Sequence, residues 1–266
     1  MAAGDVKVSN TKVKAFDCNL FDGADDVIEI PHTPYELGTN LTNGFTISAW
    51  ILARTAGEGN VGRIFDKSSG INGDTGFAFQ ISAGVGGVLK FRMGAGGTSR
   101  YGSAIGVFNY WFNALVTVSA AQLCTFYVNG VLNGSANQDL VGTIAGITTA
   151  NNATIGCHNT GVGAFDGGIR DVKMWNKVLS ADEITQEAFS GGYVARENLI
   201  HYFKLGGDYT DYGFVGVAAT NTGSVVACMD GPLTTAVKAQ RVASTDSWLL
   251  YRGRGGQIGS INIEQA

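Results

Sequence analysis

Residues 165–189 read FDGGIRDVKMWNKVLSADEITQEAF, and this stretch decides the fold. Its first half sets Ile169, Val172, Met174 and Trp175 among Gly168, Arg170, Asp171 and Lys173. That is the pattern of a long strand with one face toward a core. Its second half predicts a short helix. Ser180 stands as N-cap, and Glu183 three residues on completes a capping box, each side chain satisfying the other's backbone N–H. Ala181, Ile184 and Ala188 give a thin apolar stripe, Glu187 is read as helix surface, and Gly191-Gly192 supplies the stop. No other helical pattern occurs in the chain.

Working outward, the rest alternates like strands. GFTISAWI (44–51) reads as a central strand, with Phe45, Ile47, Ala49 and Ile51 on one side. CTFYVNGVLNGS (124–135) holds the clearest hairpin signal, Asn129-Gly130 between apolar runs, because a type I′ turn needs positive φ at both positions. LFDGADDVIEIP (20–31) turns at Asp22-Gly23, and NLIHYFK (198–204) closes the sheet. Residues 94–110 read as a Gly-rich segment carrying Tyr101, Phe108 and Tyr110. Trp50, Trp111 and Trp175 sit in strands and are expected in the core. About a dozen strands at short spacing predict two antiparallel sheets face to face.

Composition limits the function. Charged residues make up 15% and the net charge is -4, with no cluster of more than two adjacent Lys or Arg, so a nucleic-acid partner is not expected. No run of 18 apolar residues exists, so no membrane insertion is expected. The residues after Met1 lack the apolar region of a secretory signal. Either a signal was removed before the numbering or the protein is made and assembled inside a cell, and Met1 favours the second. Display on a virion or other extracellular surface is then the expectation. Cys18, Cys124, Cys157 and Cys228 lack metal-site spacing and allow three disulfide pairings; buried free thiols are the expectation.

The pieces above, in this order, resemble laminin-G-like domains of the concanavalin A-like lectin and glucanase superfamily. The resemblance rests on Gly168-Ile169-Arg170-Asp171-Val172, Trp175-Asn176 and Leu179 to Ile184, together with the segments at 20–31, 44–51 and 124–135. It implies an all-β, two-sheet antiparallel jelly-roll sandwich with one short helix and a C-terminal extension. The division expected is an N-terminal arm at 1–14, the jelly roll at 15–210 and an extension at 211–266. That extension either covers a sheet edge or docks on a neighbouring subunit of a larger assembly.

The superfamily includes enzymes, and their catalytic patterns can be compared with this sequence. The E-x-D-x-x-E strand of its retaining glucanases, which brings two carboxylates to about 5 Å, is missing. YFKLGGDY at 202–209 is similar to the Y-F-K-x-G-x-Y strand of alginate-type lyases, but its second Tyr is displaced by one residue and the partner motifs are absent. His32, His158 and His201 are read as satisfied surface or edge residues. A non-enzymatic surface module is therefore expected, such as a capsid decoration or tail-associated protein with glycan adhesion; a secreted lectin-like domain is the alternative. Glycan-binding candidates are Tyr101, Phe108, Asn109 and Tyr110. By resemblance, one structural Ca²⁺ is expected near the first strands, with Asp22, Asp25, Asp26, Asp166 and Asp171 as candidate ligands.

Overall fold

The computed structural model describes residues 18–70, 75–84, 87–94, 99–106, 108–140, 142–190 and 193–228. The arm at 1–14 and the part of the extension beyond Cys228 lie outside them. In chain order the strands are β1 (Cys18–Asp22), β2 (Ile28–Ile30), β3 (Gly44–Ala53), β4 (Val61–Lys67), β5 (Phe77–Ser82), β6 (Val88–Met93), β7 (Arg100–Ala104) and β8 (Trp111–Ser119). They continue with β9 (Leu123–Val128), β10 (Val131–Leu132), β11 (Gln138–Asp139), β12 (Ala153–Ile155), β13 (Asp166–Trp175), β14 (Leu199–Phe203), β15 (Thr220–Asn221) and β16 (Val226–Cys228). Helix α1 spans Ala181–Ser190.

Two antiparallel sheets result. One has nine strands in the order β10-β9-β8-β3-β13-β1-β16, with β11 on β9 and β14 on β13; the other runs β15-β2-β12-β4-β5-β6-β7. The jelly-roll sandwich is as expected. Between the sheets lie Ile47, Ala49 and Ile51 from β3, Phe112, Ala114 and Val116 from β8, and Phe77, Phe79 and Phe91 from β5 and β6. Phe45 crosses the gap, its ring centroid 5.1 Å from Phe77 and 6.0 Å from Phe91. Asn129 (φ 50°) and Gly130 (φ 76°) make the predicted turn of the β9–β10 hairpin. The region around Tyr101, read as Gly-rich segment, contains the strand β7.

The deciding stretch is strand then helix, as its pattern predicts. Ser180 N–H donates to Glu183 Oε2 (2.8 Å) and Glu183 N–H to Ser180 Oγ (3.3 Å), closing the capping box. The helix lies on the outer face of the nine-stranded sheet. There Leu115, Trp175, Leu179, Ile184, Leu199 and Tyr202 form a second apolar cluster, and the Trp175 indole N–H donates to Val194 O at 2.8 Å. Glu187 corrects the surface expectation. It is fully buried, bonded by Lys173 at 2.8 and 3.0 Å and by Ser48 at 3.1 Å. Beneath the helix, β13 bulges between Arg170 and Lys173, and Asp171 takes φ 48° there.

The cysteine expectation is corrected in part. Cys18 and Cys228 are disulfide-bonded directly across the β1–β16 pairing, with Cα atoms 5.0 Å apart. Cys124 and Cys157 are free and buried, and burial pushes their thiols up to about 12 and about 11. The segment after Asp211 supplies an edge strand to each sheet, β15 beside β2 and β16 beside β1. No helix among the described residues is long and apolar enough to cross a membrane.

Candidate functional site

Of the proposed glycan residues, the structure separates Tyr101 from the other three. Tyr101 lies on β7 with 47% of its surface exposed. Phe108 and Tyr110 are half-buried and pack on the core; the Tyr110 hydroxyl donates to Ile105 O at 3.3 Å. Asn109 is exposed at φ 66°, with its backbone N–H on Ala53 O (2.8 Å). Two of the three rings are thus occupied in packing.

Tyr101 instead ends a row that no sequence motif marks. Gln80 lies between Phe79 and Ile81, both in the core, so its own side chain faces the opposite, outer side. The register places Arg63 of β4 opposite Gln80 of β5, Gln80 opposite Lys90 of β6, and Lys90 opposite Tyr101 of β7. Arg63 is ion-paired with Asp66 and buried, and burial together with Arg92 lowers its guanidinium to about 10. The Lys90 ammonium sits 5.8 Å from the Tyr101 ring centroid. Gln80 is 3% exposed, yet its Oε1 meets no donor among the described residues. An unsatisfied buried amide costs about 1–3 kcal/mol, so this is a place where a ligand or water hydroxyl would be retained.

The acidic candidates divide as well. Asp22, Asp25 and Asp26 each bring a carboxylate oxygen within 4.8 Å of the others. Asp22 N–H donates to Asp26 Oδ2 (2.9 Å), while Asp26 Oδ1 is buried with no partner among the described residues. Burial, with the charges of Asp22 and Asp25, raises the Asp26 carboxyl above its ordinary value. An all-oxygen cluster with an orphaned carboxylate oxygen suits Ca²⁺, which takes six to eight such ligands. Asp166 lies across the ladder from Asp22, but its Oδ1 meets Arg54 Nε at 3.0 Å. Asp171 is elsewhere. Its oxygens accept from Arg170 Nε (2.7 Å) and from the Tyr202 hydroxyl (2.8 Å), inside the bulge.

The histidine expectation is corrected for two of three. His158 and His201 are each 1% exposed. His201 bridges Asp211 through Nδ1 and Glu36 through Nε2, both at 2.7 Å, and Thr33 and Lys67 extend the network. The two carboxylates raise the imidazole's pKa despite its burial. Burial and then Arg63 lower His158 to about 4, keeping it neutral. Tyr202, the lyase-like tyrosine, is 4% exposed; burial and its bond to Asp171 push the phenol strongly up, the wrong direction for a base.

Trp50 and Trp111 also depart from expectation, since both are half-buried on the outer face of the nine-stranded sheet. A Cβ at Gly168 would lie 2.7 Å from the Trp111 ring, so only glycine allows the indole to lie on that strand. Trp175 is in the core as expected.

A profile of laminin-G type, described as the concanavalin A-like lectin/glucanases superfamily, matches residues 22–185, more than half of the chain. The chain belongs to this superfamily. The laminin-G-like sandwich is similar to a Bacteroides ovatus protein whose name proposes carbohydrate binding (TM-score 0.57, 16% identity, covering 81% of this chain and 60% of that one). It is also similar to the heptameric SAP-like pentraxin of Limulus polyphemus (TM-score 0.52, 14% identity, covering 82% and 96%). The chain thus spans 60% of the length of the first. At these identities the likeness is one of fold. No curated protein sequence matches the chain.

Proposed function

We propose that this laminin-G-like domain is a non-catalytic glycan-binding module displayed on a virion or other extracellular assembly. The observation that carries the reading is the row on the outer face of the seven-stranded sheet: an exposed tyrosine ring beside a lysine and a buried, unsatisfied amide. Such a face offers a stacking platform and hydrogen bonds without a reacting group. Lectin-like neighbours of the same fold support it. So do the closed ion-pair networks, which leave His201, Glu36 and Asp211 bonded to one another rather than to a cleft. A glycan array with the full chain tests it. Tyr101→Ala is expected to weaken binding about 10-fold or more, since loss of one aromatic stacking contact is worth roughly 0.5–1.5 kcal/mol beyond its area. Retention of full binding by that variant, or cleavage of a bound polysaccharide, would remove the proposal.

We further propose that Asp22, Asp25 and Asp26 hold a structural Ca²⁺. At a concentration 100 times Kd, such an ion stabilises the fold by about 2.7 kcal/mol. Added Ca²⁺ is expected to raise Tm, chelator to reverse the rise, and Asp26→Asn to abolish it. The raised Asp26 pKa sets the sign with pH: a proton competes with the ion, so the shift shrinks as the solution is acidified. A Tm indifferent to Ca²⁺ at neutral pH would exclude the site.

A further inference from the structure

The outer face of the seven-stranded sheet has a sign as well as a shape. Beside the row from Arg63 to Tyr101 runs a second one, in which Asp66 of β4 pairs with Ala78 of β5, and Ala78 with Arg92 of β6. The two rows therefore carry Arg63, Lys90 and Arg92 against Asp66, and Asp66 is already joined to Arg63. Lys90 places its ammonium beside the ring of the exposed tyrosine, 5.8 Å from the centroid. Its ammonium is disfavoured first by burial and then by the positive charges of Arg92 and Arg63. An anion placed there would relieve the repulsion. The protein as a whole carries -4. That background disfavours a long polyanion and suits a single acid group.

We propose that this face binds a sugar bearing one acid group, a carboxylate or a sulfate, with Lys90 as the charge partner, Gln80 as the amide that reads a hydroxyl, and Tyr101 as the ring platform. The proposal rests on the glycan-binding reading above and narrows it. Three inter-strand steps separate Arg63 from Tyr101, about 14 Å at the usual strand spacing, the reach of a short oligosaccharide rather than a single ring. Gln80 sits inside that span with an oxygen able to accept from a ligand hydroxyl.

Matched pairs of oligosaccharides test the proposal by calorimetry on the full chain: a galactose oligosaccharide ended by one galacturonate against its carboxyl-reduced form, a monosulfated galactan fragment against the desulfated one, and inorganic sulfate alone. The acid member of at least one pair is expected to bind 10-fold or more tightly, the two pairs telling carboxylate from sulfate. Lys90→Gln should reduce that preference to within 2-fold, while Lys90→Arg keeps it. Lys90 is half-exposed, and equal Tm values would confirm that both variants fold. Tyr101→Ala should weaken acid and neutral sugars alike. Equal binding of both members of each pair overturns the acid preference and leaves the glycan reading standing. No binding of any sugar overturns both. Inorganic sulfate binding as tightly as the sugar acids also overturns the proposal, because the site would then recognise an ion and not a sugar.

Discussion

Replacing His201 with glutamine is expected to cost about 3–5 kcal/mol of folding stability, the range for breaking a buried ion pair by removing one partner. The imidazole is 1% exposed and joins Asp211 to Glu36, so its loss leaves two buried carboxylates facing a neutral amide. Asp211 would keep the backbone N–H groups of Tyr202 and Gly213, both at 2.8 Å, and Glu36 would keep Thr33. Lys67, 3.9 Å from Glu36, would then face two buried charges alone, in place of the pair of cations that now balance them. The pH dependence identifies the cause. The pKa of His201 is raised in the folded state, so its contribution is complete below the ordinary value near 6.5 and lost as pH rises through the folded value. Denaturant unfolding of the wild type should therefore lose stability on the alkaline side, and His201→Gln should lack that decline. Identical slopes with pH in the two proteins would show that the imidazole is neutral in the fold.

Lys173→Met is expected to be of similar size, about 3–5 kcal/mol, for a different geometry. Here the pair lies under the helix, between the outer face of the nine-stranded sheet and α1. Without the ammonium, Glu187 retains Ser48 at 3.1 Å. Burial already raises the Glu187 carboxyl against the pull of Lys173, so the variant would protonate it. Protonation costs more as pH rises above the unfolded carboxyl's value near 4.3, and the deficit should be smallest in acid. The double variant Lys173→Met, Glu187→Leu should recover most of the loss, because two apolar side chains replace two buried charges. A double variant no more stable than the single one would place the cost in packing, not in charge.

The sequence signals that survived were local. The capping box at Ser180, the Asn129-Gly130 turn and the alternation of β3 each depend on a few neighbouring residues. Glu187 is legible too, since it shares a helical face with Ile184 and Ala188, although an acid in a short helix ordinarily faces solvent. Alternation likewise points Trp50 and Trp111 away from Ile51 and Phe112, to the outer face where both lie half-buried. Other features required pairing between distant segments. His201 meets Glu36 across 165 residues. Gln80, Lys90 and Tyr101 line up only through the registers of β5, β6 and β7. Arg63 joins them only because β4 shifts register between Arg63 and Phe65. The disulfide needed β16 to return to β1.

That last pairing governs how the domain would bear a load. Cys18 and Cys228, with Cα atoms 5.0 Å apart, are covalently joined across the edge of the nine-stranded sheet. Tension applied at these two residues would pass from sulfur to sulfur and bypass both sheets. A module tethered this way keeps its binding face unstretched when whatever holds it is pulled, and unzipping the strands would first require reduction of one bond.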